Sequence, residues 1–267
     1  MPLEGVGGVP LAGIDFGGSG PLTVLLHALA GNADTWAVTA SWLVRYGQVV
    51  AFDARGHGAS GKPDGPYDTD ARVGDAIAVV EQLSLGPAVL IGHSMGGITA
   101  WQAAGRRPDL VLGVVIGDIS ARSNDASTWW RDWLASWPRA FDDQQAIREY
   151  FDDYFGDEEP GIGDFFADVF VHGDDGWRPP FTAAHILALR ESWNARDLTA
   201  ELDSVKCPAL VVKGALSGSP PEELQAMAQR LPRGEYSEVA DAGHVLHYAN
   251  PAGWRRAVEP FIARRKG

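Results

Sequence analysis

The chain reads as an α/β protein: a mostly parallel, doubly wound sheet with a helical lid inserted after the sixth strand. Three observations predict it. Short apolar runs alternate with amphipathic helical stretches over most of the length, as in successive βαβ units. The alternation breaks between 120 and 194, where helical patterns and tryptophan crowd together. Finally, the turn Gly92-His93-Ser94-Met95-Gly96 lies between an apolar run and a helix-forming run.

Taken in order, Leu11 to Phe16 reads as an edge strand, closed by Gly17-Gly18-Ser19-Gly20-Pro21. Leu22 to Leu26 is uninterruptedly apolar, as a strand covered on both faces should be. It opens into His27-Ala28-Leu29-Ala30-Gly31-Asn32, and a helix is expected over 34–43. Val49 to Phe52 is the next strand, followed by Asp53-Ala54-Arg55-Gly56-His57-Gly58 and a helix over 69–83. Ala88 to Ile91 leads into the Ser94 turn and its helix, and Val111 to Gly117 is the sixth strand.

After the break, Pro208 to Gly214 is again a strand, 221–230 a helix, Tyr236 to Val239 the last strand and 251–264 the closing helix. The core is therefore expected over 1–119 and 195–267, with the lid over 120–194. Within the lid, Trp129, Trp133 and Trp137 recur every four residues and are expected on one helix face. Such a stripe can join lid to core, line a substrate pocket, or do both.

Composition narrows the function. With 267 residues, 45% hydrophobic and 21% charged, the chain can bury a sizeable core. A net charge of −13 argues against a nucleic-acid or anionic-membrane surface. The single cysteine, Cys207, excludes an intrachain disulfide and reads as a small buried hydrophobe at a strand entrance. Met1-Pro2-Leu3-Glu4-Gly5 lacks a basic and apolar leader, and no 18-residue apolar run occurs, so a cytoplasmic location is expected.

The Ser94 turn is the chemically informative stretch. A serine between a buried strand and a helix sits on a tight turn, where Gly92 and Gly96 relieve clashes with the neighbouring backbone. The hydroxyl is then held out at the carboxyl edge of the sheet, above free helix N–H groups that suit an oxyanion. A serine hydroxyl needs a base within reach, itself oriented by a third group. His244, in the loop between the last strand and the last helix, falls at the same edge. His27, His57 and His93 flank the site on loops, while His172 and His185 belong to the lid. His247 follows His244 by three residues, but the pair has no carboxylates at matching spacing, so no metal is expected.

The pieces Gly92-His93-Ser94-Met95-Gly96, Asp53-Ala54-Arg55-Gly56-His57-Gly58-Ala59-Ser60 and Ala242-Gly243-His244 resemble those of the α/β-hydrolase fold family, of the lid-bearing serine esterase and lactonase type. The resemblance covers about 10–118 and 195–264. It implies a structural role for Asp53 and Arg55, and an oxyanion hole built from the backbone N–H groups of Leu29 and Met95. Ala28 stands where relatives commonly carry glycine. A second departure concerns the acid, which usually follows the seventh strand as Gly-x-x-Asp. Here that stretch is Gly214-Ala215-Leu216-Ser217, with no carboxylate before Glu222. Some relatives place the acid after the sixth strand, where this chain has Asp118. Glu222, Glu223 and Asp241 are the rivals, and a helix cap is the structural alternative for Asp118.

The expected activity is hydrolysis of a carboxylic ester, whether open-chain ester, lactone or thioester, by Ser94, His244 and Asp118 through an acyl-enzyme. A substrate pocket is expected to include His27, His93, Trp129, Trp133 and Trp193. No cofactor is expected, and the partners are a small-molecule acyl substrate and at most a second copy of the chain, as monomer or homodimer. The same three residues would also serve a carbon–carbon hydrolase, a perhydrolase or a lyase, or would remain in a ligand-binding protein with little turnover. One outcome tests the nucleophile directly. An organophosphonate or sulfonyl fluoride should add a single covalent mass on the peptide that contains Ser94, and labelling elsewhere would remove the assignment.

Overall fold

Strands form where apolar residues run on, and helices where polar residues interrupt them every third or fourth position. In the computed structural model, which describes residues 1–265, the chain begins with β1 (Pro2–Glu4), β2 (Pro10–Gly17) and β3 (Leu22–Leu26). A short 3-10 turn over Ala33–Trp36 leads into α1 (Ala37–Leu43). β4 (Gln48–Phe52), α2 (Thr69–Leu83), β5 (Ala88–His93), α3 (Met95–Arg106) and β6 (Val111–Gly117) follow. The segment 120–194 then carries α4 (Ser127–Ser136), α5 (Gln144–Phe155), α6 (Ile162–Val169), a ribbon of β7 (Val171–Gly173) and β8 (Gly176–Arg178), and α7 (Ala183–Glu191). The chain closes with β9 (Ala209–Gly214), α8 (Pro221–Arg230), β10 (Gly234–Val239), α9 (Leu246–Ala249) and α10 (Pro251–Ala263).

Eight strands form one sheet in the order β1-β2-β4-β3-β5-β6-β9-β10. From β4 to β10 the pairing is parallel, whereas β1 and β2 run antiparallel. β3, β5 and β9 are buried along their whole length, because helices cover both faces. One apolar layer holds Trp36, Trp42, Trp254 and Phe261 under α1 and α10. The other lies under α2, α3 and α8 and runs on into the aromatic interior of segment 120–194. β4 lies on one side of β3 and β5 on the other. The loops leaving β3 and β5 therefore diverge and open a crevice at their carboxyl ends, where ligands of such sheets bind.

Local signals set the boundaries. The Asp68 side chain accepts the Ala71 N–H at 2.9 Å and caps α2. Asn250 accepts the Gly253 N–H at 2.8 Å and caps α10, with Pro251 as its first residue. Two expectations need correction. β2 is not the edge, since residues 2–4 pair outside it as β1. Three residues are too few to show an alternating pattern. Trp137 is not on the helix of Trp129 and Trp133, because α4 ends at Ser136 and Trp137 is extended (φ −66°, ψ 139°). Pro138 forces that change, as its ring disfavours helical backbone in the preceding residue. The Trp137 ring still meets that of Trp133 edge to face, with centroids 4.9 Å apart.

Segment 120–194 packs over the carboxyl edge: α6 touches both the turn after β3 and α9, which follows β10. Its interior is rich in aromatic rings, which pack among Leu134, Ile147, Ile162, Ile186 and Leu189. Phe151 stacks on Phe166 at 4.0 Å between centroids, and Trp133 stacks on Trp129 at 5.0 Å. Cys207 is buried and its thiol is pushed up to about 11, so it packs and does not react.

Below the site, Arg55 makes a two-pronged ion pair with Asp75, both contacts at 2.6 Å and both side chains sealed from solvent. The same carboxylate accepts the Val6 N–H, so the N-terminal segment, α2 and the loop after β4 are tied at one point. Asp75→Ala would leave the Arg55 charge buried and unpaired, and the expected loss is about 3–5 kcal/mol. Urea unfolding should show a lower midpoint with an unchanged slope.

Candidate active site

Ser94 sits between β5 and α3 with φ 52° and ψ −116°, a backbone conformation unusual for a side-chain-bearing residue. The glycines on either side are required by close approach. A Cβ on Gly92 would lie 2.1 Å from the Gly96 carbonyl oxygen, and one on Gly96 would lie 2.0 Å from that of Leu26. The first turn of α3 is thus pressed onto the ends of β3 and β5, and Ser94 is lifted out of that contact.

Asp118 follows β6 directly, also at positive φ (46°), and its side chain is fully buried. Its Oδ2 accepts from Nδ1 of His244 at 2.7 Å. Its Oδ1 accepts the Gly214 N–H at 3.0 Å and the Ser217 hydroxyl at 2.7 Å. Burying a carboxylate is costly unless its lone pairs are hydrogen-bonded, and these donors supply those bonds. Because a carboxylate can only accept, Nδ1 of His244 carries the proton and Nε2 is left to take another. The rival acids lie elsewhere. Glu223 accepts from the Ser120 hydroxyl at 2.6 Å, and Asp241 occupies an exposed left-handed turn.

The backbone of His244 is held as well. Its N–H donates to Glu159, from the loop before α6, and its carbonyl accepts from Nε2 of His93 at 2.7 Å. Burial works to lower the His244 pKa, but the hydrogen bond and charge of Asp118, joined by the charge of Glu159, outweigh it and the net shift is upward from 6.5. His93 is pushed well below 6.5, chiefly by burial, and stays neutral.

Leu29 shares a cavity with Ser94 and His244, and Met95 directly follows Ser94 in the chain. Leu29 is a lining residue, and Met95 is buried as the first residue of α3, where an N–H has no intrahelical carbonyl to reach. Two neutral histidines shape the loop after β3. His27 accepts the Ala54 N–H on Nε2 (2.8 Å) and donates from Nδ1 to the Ala28 carbonyl (2.7 Å). His57 accepts the Ala30 N–H at 3.2 Å. Asp53 accepts the Ala33 and Ala59 N–H groups, each at 2.8 Å. Ala28 keeps an ordinary φ, and the left-handed position of the loop falls two residues later, on Ala30 (φ 61°).

The cavity above Ser94 measures about 270 Å³. Of the expected pocket residues, His93, Trp129 and Trp133 line it. His27 and Trp193 do not. Both ring nitrogens of His27 are committed to backbone, and Trp193 is clamped between the Arg72 and Arg190 guanidinium groups, 5.0 and 5.3 Å from its ring. Sequence reasoning missed Trp130, Phe155, Glu159, Ile162, Phe165 and Phe166, which complete the wall. Aromatic density around 151–166 was the available signal, but which of those rings face inward depends on how α5 and α6 dock. Among the described residues, no three His, Cys, Asp or Glu side chains gather as a metal site.

The sequence model of the Alpha/beta hydrolase family matches residues 23–257. The chain belongs to that family. It is 27% identical over 257 residues to the 2-(acetamidomethylene)succinate hydrolase of Mesorhizobium japonicum, a match spanning 92% of this chain and 89% of the relative. It is also 27% identical over 251 residues to 3-oxoadipate enol-lactonase 2 of Acinetobacter baylyi, spanning 91% and 89%. The crystal structure of an E-2-(acetamidomethylene)succinate hydrolase superposes with a TM-score of 0.85 at 25% identity, covering 98% of this chain and 99% of the other.

If His244 must be neutral to accept a proton, kcat/KM should rise with pH, with its acid limb above 6.5. Asp118→Asn should move that limb to lower pH and reduce turnover by roughly two to four decades. The stability contribution has the opposite dependence. Protonated His244 favours the fold fully below the unfolded pKa near 6.5, and the gain is lost as pH rises through the raised folded value.

Proposed function

We propose that this α/β-hydrolase cleaves carboxylic esters through a Ser94–His244–Asp118 triad, in a site covered by residues 120–194 as a lid on a core of 1–119 and 195–267. The observation that carries the reading is the 2.7 Å contact between Asp118 and Nδ1 of His244, with His244 and Ser94 lining one cavity. Ser94 Oγ attacks the acyl carbon while its proton passes to Nε2 of His244. The oxyanion is received by the N–H groups of Leu29 and Met95. The intermediate collapses as the Nε2 proton goes to the leaving oxygen, leaving an acyl-serine. Water then repeats the sequence, with His244 again as base, and releases the acid. Asp118 keeps the imidazole in the required tautomer and balances its charge.

No resident cofactor or metal belongs to this proposal, nor does a nucleic-acid or membrane partner. A small acyl substrate, a monomer or homodimer, and a cytoplasmic setting do. Among the described residues, no helix is long and apolar enough to cross a membrane. A second reading, cleavage of a bond other than an ester by the same residues, is favoured by the likeness to a hydrolase whose name contains no ester.

A panel of short open-chain esters, lactones and thioesters tests the assignment. Turnover of at least one class should be measurable and should fall at least a thousandfold in Ser94→Ala, in line with the roughly 10⁶-fold loss when a nucleophilic serine is removed from such a triad. A Ser94→Ala protein as active as the parent would refute the triad.

A further inference from the structure

The cavity beside Ser94 is unusual in what its wall lacks. Trp129, Trp130, Trp133, Phe155, Phe165 and Phe166 are six of its fourteen lining residues, and among the described residues no arginine or lysine lines it. In the form that can react, its imidazoles offer a substrate no positive charge. His93 is held neutral by burial, and His244, although its pKa is raised, acts as base only with Nε2 unprotonated and its Nδ1 proton committed to Asp118. Among the described residues, the one carboxylate in the wall is Glu159, which accepts the His244 N–H; burial raises its pKa from 4.5, against the opposing pull of the His244 charge and N–H.

The neighbouring cations are engaged elsewhere. Arg72 bonds the Met95 carbonyl and the Thr99 hydroxyl under α3. Arg122 lines an adjoining cleft, but with Asp118, Glu159 and Glu223 around it and its guanidinium paired to Asp197 at 3.2 Å. A carboxylate brought beside Ser94 would lose its hydration, find no cation and meet Glu159.

We infer that the enzyme, on the ester-hydrolase reading above, takes an uncharged acyl group, aliphatic or aromatic, and rejects one that carries a carboxylate. The aromatic wall supplies the favourable burial, and Glu159 supplies the repulsion. A cationic acyl group would also be stripped of its hydration by the aromatic wall, and one Glu159 carboxylate, shared with the His244 N–H, offsets that only in part, while the face of Trp133 is covered by Trp129.

The test is a set of p-nitrophenyl esters that share a four-carbon acyl chain: the butyrate, the hemisuccinate, and a 4-trimethylammonio-butyrate. A carboxylate taken into an apolar wall without a partner loses its hydration uncompensated, so kcat/KM for the butyrate should exceed that for the hemisuccinate by about 100-fold. Glu159→Gln keeps an oxygen to accept the His244 N–H while removing the charge, and should narrow that ratio about tenfold. The ratio is informative because both esters react through the same His244, so any effect of the substitution on proton transfer cancels. Equal or faster hydrolysis of the hemisuccinate or of the trimethylammonio ester would overturn the inference, as would an unchanged ratio in Glu159→Gln. Failure of the underlying reading looks different: no ester is turned over and Ser94 takes no phosphonate label, and this inference falls with it.

Discussion

The close approach of α3 to the ends of β3 and β5 is the constraint on which the site depends. With Gly96 against the Leu26 carbonyl and Gly92 against Gly96, no side chain fits at either place. The contact leaves Ser94 no helical or extended option, and it occupies a strained region of backbone space. That strain is affordable because the strands below are completely buried and parallel on both sides, so their ends cannot shift. Rigidity of the sheet and exposure of the hydroxyl are two consequences of one packing decision.

A second consequence is electrostatic. Bringing β6 and β9 side by side sets Asp118 under the loop that begins at Gly214, where an N–H and the Ser217 hydroxyl satisfy one carboxylate oxygen. The other oxygen accepts from His244 at 2.7 Å and, at 3.4 Å, from the Ser219 hydroxyl. A fully buried carboxylate without those donors would carry a large uncompensated desolvation cost. Ser217, at the place where relatives commonly carry the acid, thus partners Asp118 in the structure. Residues from β6, β9 and the β10–α9 loop converge within hydrogen-bond distance, although 126 residues separate Asp118 from His244.

The histidines divide by environment. His27, His57 and His93 are buried against backbone donors and acceptors, and burial lowers each of their pKa values. His244 alone gains a carboxylate partner, and its pKa moves the other way. Three of these imidazoles are therefore neutral struts, His247, packed against His93 and lowered to about 3, is neutral as well, and His244 is the candidate base. Segment 120–194 contributes at the same point, since Glu159 reaches the His244 N–H and the close approach of residues 158–159 leaves no room for a side chain on Gly243.

The periodicity of the chain determined the sheet, its helices and their order, because buried parallel strands must be continuously apolar and their covering helices amphipathic. The Ser94 turn was legible for the same local reason: glycine is demanded by backbone approach, and the demand is written within five residues. His244 and Asp118 were readable as positions at strand ends, since topology brings every such end to one edge. What sequence could not decide was contact. Trp137 left its helix because of Pro138, and β1 was too short to betray an edge. His27 and Trp193 proved to be framework and not wall, while Glu159, Phe155 and Phe166 entered the cavity. Those outcomes depend on how α4, α5 and α6 dock against one another and against the sheet. Docking is a choice among many apolar faces of similar strength, and only the tertiary structure makes it.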